Sequence, residues 1–196
     1  TLGMLGTGSQ TVKIDGAFLP EEAVVLRRPR GAFHLAFAVI LTVAMPLIMS
    51  TYLGVAEAAA AIARERAAAR RDDPVMPFLV GEMEDLLTTA EIAVEDMIRL
   101  ANNFDFTPTV ELASKVLARK SIAARHVIAT AEKALETAGG AGFFRKLGLE
   151  RFLRDVHGAQ FHPLPEKRQQ LFTGRLVMGL DPVSGQPLEA AARRAA

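Results

Sequence analysis

Cysteine and tryptophan are both missing from this sequence, and tyrosine occurs once, as Tyr52. Without cysteine there is no disulfide framework, no thiol nucleophile and no thiolate metal ligand. A reducing, cytoplasmic setting is the default expectation. The shortage of tryptophan and tyrosine argues against a stacking platform for nucleic-acid bases. Charge of either sign in excess is also lacking: 23 Lys and Arg against 22 Asp and Glu leave a formal net charge of +1. Nothing in that balance would draw a polyanion, and no nucleic-acid partner is expected. The chain opens on Thr1, and no basic start with a small-residue cleavage site follows. The simplest expectation is a chain that begins inside a longer protein.

What is present suffices for a core. The chain has 196 residues, half of them apolar, enough for one domain and a small appendage. Alanine-rich stretches interspersed with Glu and Arg favour helix. From Gly31 to Ala56 no formal charge occurs, and Arg27, Arg28 and Arg30 precede the run. Its length and flanking charge fit a membrane span. However, the run holds His34, Thr42, Pro46, Ser50, Thr51, Tyr52 and Gly54, and it continues into Glu57 and Arg64-Glu65-Arg66. A helix apolar on all sides also serves as the central helix of a bundle. The second reading is preferred, with no membrane partner expected.

Residues 1–26 differ from the rest. Gly3, Gly6 and Gly8 mark turns, and Thr11-Val12-Lys13-Ile14-Asp15 alternates like a strand closed by Asp15-Gly16. Two short strands cannot bury a sheet face, so this piece requires a partner sheet elsewhere. From about residue 31 the pattern is helical. A first helix runs to about Arg71, with Pro46 as a kink or break. A second runs from about Pro77 to Ala101, where Met83, Leu87, Ala90, Val94 and Met97 recur at three- and four-residue steps. The acidic residues off that stripe read as a solvated face. Thr107-Pro108 caps a third helix, which ends near Thr137 before Gly139-Gly140. A fourth element spans about Leu149 to Ala159, and a last helix about Glu166 to Met178. The tail from 181 to 196 is expected to fray. The fold class is therefore all-α: an up-down four-helix bundle over residues 31–180, behind a short β remnant.

Three segments could carry chemistry. Ala138-Gly139-Gly140-Ala141-Gly142 either ends a helix or lets a flat or phosphorylated ligand approach the backbone. Leu149-Glu150-Arg151-Phe152-Leu153-Arg154-Asp155 is either a polar helix face or an interfacial network that positions the loop behind it. In Phe161-His162-Pro163-Leu164-Pro165 two prolines stiffen the backbone around His162. That histidine is either a surface residue of a linker or a proton-transfer group on a fixed loop. His157 and His162 have poor spacing for a metal and no third ligand nearby, so no metal site is expected.

Taken in order, these pieces resemble the acyl-CoA dehydrogenase superfamily. Leu5-Gly6-Thr7-Gly8-Ser9, Val12 to Asp15 and Phe18-Leu19-Pro20-Glu21 look like the last strands of that family's middle β-domain. Pro46 and Gly54-Val55-Ala56 match its first carboxyl-domain helix. Glu136-Thr137-Ala138-Gly139-Gly140-Ala141-Gly142 through Asp155 is similar to its glycine-rich turn and following Glu-Arg…Arg-Asp block. The resemblance covers about residues 1–180. It implies the end of the β-domain over residues 1–26, FAD as cofactor, and a dimer or tetramer of identical chains. It further implies a small-molecule acyl-CoA or aromatic substrate and an oxidoreductase activity, acyl-CoA α,β-dehydrogenation or a related flavin reaction. It places Gly139 and Gly140 against the FAD of a neighbouring subunit, Arg70 by its pyrophosphate, and Glu136 where many members carry a flavin-contacting glutamine. Where dehydrogenases often place a glutamate base, this sequence has His162 as its candidate catalytic residue. A histidine there resembles the superfamily's flavin monooxygenase branch, in which it lies by the reactive edge of the flavin. An isolated fragment that only oligomerises is the alternative.

Overall fold

A computed structural model of the chain describes residues 1–188. Among them are five α-helices: α1 (Leu35–Ala68), α2 (Met76–Ala101), α3 (Val110–Ala138), α4 (Leu149–Val156) and α5 (Glu166–Val177). The first three are long and pack on one another; α4 and α5 lean on α3, which touches all the others. The all-α bundle that the periodicity implied is the observed architecture.

Each helix starts where its sequence permits. His34 caps α1, its Nδ1 accepting the Ala36 N–H at 3.2 Å. Of the kink or break expected at Pro46, the break does not occur, and α1 runs through it for 34 residues. A proline inside a helix forfeits one hydrogen bond and costs about 3 kcal/mol. Here Pro46 is buried together with Met45 and Met49, and the packing of the helix outweighs that cost. The third helix begins two residues later than expected. Thr109, not Thr107, is the cap, and its Oγ1 accepts the Leu112 N–H at 3.0 Å. The fourth element is helical only to Val156 and continues as a tighter 3-10 turn, His157–Phe161.

The core is built largely from alanine. Ala56, Ala59, Ala60 and Ala63 on α1, with Ala123, Ala131 and Ala134 on α3, are fully or almost fully buried. Small side chains leave little to interpose between two helix backbones, while Met49, Met83, Met97 and Leu117 fill the wider gaps. By length and composition α1 could cross a membrane. In the bundle one side of it is core, whereas Leu35, Val39, Ile40 and Leu47 on its first half are exposed.

Two expectations fail at the ends. No strand forms among the described residues, so the β remnant is not seen as such. Residues 11–15 are irregular, and Val12, Ile14 and Phe18 are 80%, 79% and 87% exposed. A lone strand has no ladder to join, and the partner sheet that this pattern demands is not part of this chain's bundle. At the other end, residues 181–188 were expected to fray and instead form a turn docked on the bundle. The buried Asp181 carboxylate accepts the N–H groups of Val183 (3.0 Å) and Ser184 (2.6 Å), the Ser184 hydroxyl (2.8 Å) and the Phe33 N–H (3.5 Å). Burial pushes this carboxyl up, but the donors from Ser184, Phe33 and Val183 outweigh it and hold it below the usual range. The rest of that tail, 189–196, lies outside the described residues.

The alanine seam makes a direct prediction. Ala60→Leu forces extra volume between packed helices and should lower the unfolding free energy by about 1–3 kcal/mol. Ala61→Leu, one position round on the exposed side, should change it by less than about 0.5 kcal/mol. Urea denaturation of both variants distinguishes a filled seam from a loosely packed one.

Candidate functional site

The loop carrying His162 meets the middle of α1. Tyr52, buried on α1, and His162 lie within hydrogen-bonding distance, with 2.8 Å between the phenolic oxygen and Nε2 and ring centres 5.4 Å apart. The Tyr52 hydroxyl has one proton and two acceptors in reach, because Met4 Sδ lies 2.9 Å away. With Nε2 unprotonated the hydroxyl donates to it; with the ring proton on Nε2 the imidazole donates to the phenolic oxygen and the hydroxyl donates to the thioether. Met4 is held in place by its own backbone N–H, which donates to the Asp155 carboxylate at the end of α4.

Two glycines make room for this arrangement. A Cβ on Gly158 would lie 2.3 Å from Met4 Sδ and 2.5 Å from the Tyr52 hydroxyl. One on Gly3 would lie 2.5 Å from the Arg154 carbonyl oxygen, so the amino-terminal segment runs directly against the backbone of α4. Between that segment and the His162 loop is a cavity of about 410 Å³, lined by Met4, Gln10, Tyr52, Phe161 and His162 among others. That is within the size range of small-molecule sites. Among the described residues its lining contains no carboxylate.

The electrostatics are set from inside the bundle. Burial, then the nearby Lys120 ammonium, push His162 below the ordinary histidine value, so the imidazole is neutral near pH 7. Burial, then the charge of Asp155, raise the Tyr52 phenol. Lys120 is itself lowered to about 8, mainly by burial, with Glu166 acting in the other direction. Among the described residues no group of three or more potential metal ligands occurs.

The other expected site residues form a second cluster. Gly139 ends α3 with φ 63° and ψ −152°, a backbone conformation almost confined to glycine. A Cβ there would lie 3.1 Å from Arg70 Nη1, so the guanidinium sits against the bend. Arg70 also donates to Asp73 at 2.8 Å. Gly140 is exposed beside Gly139. Glu136, one turn earlier, is exposed and pairs with Lys133 at 2.7 Å. Arg70, Glu136, Gly139 and Gly140 therefore gather at one end of the bundle. His162 does not join them: at ~1.5 Å per residue, about 24 Å of helix separates Tyr52 from Ala68.

Tyr52, Met4, Asp155 and Lys120 were not expected as site residues. The position of Lys120 carries the signal that could have found it. Leu117, Lys120, Ala124 and Val127 recur at helical spacing, which puts a lysine on the buried stripe of α3. Tyr52, the single tyrosine, stands in the uncharged run where its hydroxyl needs a partner. The contacts of Met4 and Asp155 span about 150 positions and leave no local trace.

Comparison with known proteins follows the same lines. A family model described as acyl-CoA dehydrogenase, C-terminal domain, matches residues 47–166. The amino sugar nitrososynthase DnmZ of Streptomyces peucetius is 28% identical over 171 residues, which cover 83% of this chain and 42% of that protein. Among solved structures, KijD3 in complex with FMN and a dTDP-linked amino keto-sugar superposes with TM-score 0.66 and 24% identity, covering 78% of this chain and 40% of that one. Dibenzothiophene monooxygenase TdsC of Paenibacillus sp. A11-2 gives TM-score 0.62 and 22% identity, covering 75% and 42%. At such identities the structural likeness is one of fold. The chain spans about two fifths of the length of these relatives.

The single tyrosine makes the site observable. Alkaline titration by ultraviolet absorbance should show one phenol ionising above the ordinary value of 10.0. Asp155→Asn should bring it down. Because the folded value is raised, the stability this group contributes is complete below the unfolded value and is lost as pH rises through the folded one. Ionisation at the ordinary value would mean that Tyr52 is not enclosed by His162 and Met4.

Proposed function

The chain belongs to the acyl-CoA dehydrogenase family through its carboxyl-terminal helical domain, and on that premise we propose that it is the helical part of a flavin-dependent monooxygenase. The observation that carries this reading is the Tyr52–His162 pair beside a cavity whose lining has no carboxylate. Dehydrogenases of the family often use a glutamate base to remove the acyl α-proton, and among the described residues no carboxylate lines this cavity. Here the groups able to exchange protons are a phenol and a neutral imidazole. The activities of two relatives, a nitrososynthase and a dibenzothiophene monooxygenase, lean the same way. Acyl-CoA dehydrogenation, the first expectation from the sequence, is the reading this one displaces.

The residues present fit a flavin at both clusters. The cavity admits a small planar group, and the Gly139 bend with Arg70 against it offers exposed backbone beside a fixed cation, which suits a phosphate. When bound, the flavin would supply the electrons that reduce oxygen. The work of this chain is proton management and placement. A ligand hydroxyl or amine in the cavity can give its proton to the Tyr52 oxygen while the Tyr52 proton passes to His162 Nε2, leaving a neutral phenol and an imidazolium. Phe161 and Met4 line the same cavity with apolar surface and limit the water that reaches this pair.

Because the two clusters are separated by about half the length of α1, we assign them to different copies of the cofactor in an oligomer of identical chains, dimer or tetramer. The exposed apolar positions Leu35, Val39, Ile40 and Leu47 support such an assembly. A cytoplasmic enzyme fits the lack of cysteine.

Oxygen consumption with reduced flavin supplied, in the presence of aromatic or amino-sugar compounds, tests the reading in the assembled enzyme. An oxygenated product is expected. Anaerobic bleaching of bound flavin by an acyl-CoA would overturn it in favour of dehydrogenation. His162→Gln should cut turnover by about a hundredfold or more without loss of flavin. Arg70→Ala should weaken FAD binding by about tenfold and leave FMN binding nearly unchanged, because only the dinucleotide can reach both the cavity and a second phosphate site. Equal losses for both flavins would place Arg70 elsewhere.

A further inference from the structure

Lys120 is 1% exposed in the middle of α3. A buried ammonium costs several kcal/mol unless it finds compensating partners. Among the described residues no carboxylate lies within 4.0 Å of it. Instead, Nζ donates to the Leu164 carbonyl at 3.2 Å and to the Gln160 carbonyl at 3.5 Å. These two carbonyls stand two residues after and two residues before His162. The lysine therefore grips the loop on both sides of the histidine from beneath. We propose that Lys120 is a positioning residue that clamps the His162 loop to the bundle and sets a positive charge beneath the imidazole that meets the Tyr52 hydroxyl.

The surroundings of His162 leave Lys120 as the group with that effect. Tyr52 faces it from α1 and is uncharged near neutral pH. Asp155, on α4, is bonded to the Met4 N–H and acts on Tyr52. Glu166, on α5, faces Lys120, lies 3.9 Å from Arg125 and favours the ammonium form. His157, in the 3-10 turn, contacts the Gln160 side chain at 3.3 Å. At pH 7 a lysine titrating at about 8 is still charged by a ratio of about ten to one. A methionine of similar length would fill the same space at lower desolvation cost, so the charge on this buried stripe has its use at the loop. The catalytic consequence rests on the function proposed above; the clamp and the charge do not.

The test follows the four histidine rings by NMR across a pH titration of the full chain, with His162 identified by its loss in His162→Gln. In Lys120→Met the His162 midpoint should rise by about half a unit or more. In the unaltered chain the His162 resonances should show a second inflection near pH 8, where Lys120 loses its proton, and Lys120→Arg should abolish it. A folded Lys120→Met with an unmoved midpoint overturns the proposal. If that variant does not fold, the unaltered chain decides: the absence of an inflection between neutral pH and the onset of tyrosine ionisation overturns it equally. Failure of reduced-flavin turnover with both titration effects present would count against the flavin reading alone.

Discussion

The seam of alanines between α1 and α3 constrains everything built on this bundle. Where Ala56, Ala60 and Ala63 are buried alongside Ala123 and Ala134, few side-chain atoms are available to adjust the fit of two long helices. A close-packed seam transmits position rather than absorbing it. Tyr52 stands one turn before that seam on α1, and Lys120 one turn before Ala123 and Ala124 on α3. The phenol and the ammonium are therefore held at fixed places in the interior, and the loop between α4 and α5 comes to them. This arrangement explains how His162 can sit on irregular backbone and still be well placed: it is tied from one side by its ring and from the other by the carbonyls of its neighbours.

Helices were legible because their signals are local. Apolar steps of three and four residues, and a glycine pair after Thr137, located the long helices to within a few positions. The errors came where two local signals competed or where the deciding force was not local. Thr107 and Thr109 flank one proline, both are competent caps, and it is Thr109 whose side chain accepts the Leu112 N–H. Pro46 signalled a break that the burial of α1 overrides. The alternating residues 11–15 were expected to be a strand and are irregular, because a strand exists only with a partner and none of the described residues pairs with them.

The site was half legible for the same reason. His162 could be singled out because prolines on its far side and a helix on its near side frame it in sequence. Arg70, Glu136, Gly139 and Gly140 came from likeness to a family, and they do lie at one end of the bundle. What gives His162 its chemistry is invisible to local reading. The Tyr52 hydrogen bond spans 110 positions and the Met4–Asp155 bond 151. Only the lysine on a buried stripe announces itself, as a charge where the periodicity demands an apolar side chain. Such a breach of pattern in an otherwise consistent helix marks a place where stability has been yielded to another requirement.

That requirement gains meaning from the separation of the two clusters. In the proposed function, the phosphate-binding end and the proton-exchanging middle of one chain cannot serve one cofactor unless it runs along about 24 Å, half the length of α1. Symmetric association resolves this, since each chain then lends its Arg70–Gly139 end to one cofactor and its Tyr52–His162 cavity to another. Exposed apolar residues lie at both places: Leu35, Val39, Ile40 and Leu47 on the first half of α1, and Val75, Phe78, Phe143 and Phe144 in the segments next to Arg70 and Gly139. In this arrangement a displaced His162 loop would impair proton exchange and leave the distant phosphate contacts intact. The bundle thus separates holding the cofactor from using it, with Lys120 acting only on the second.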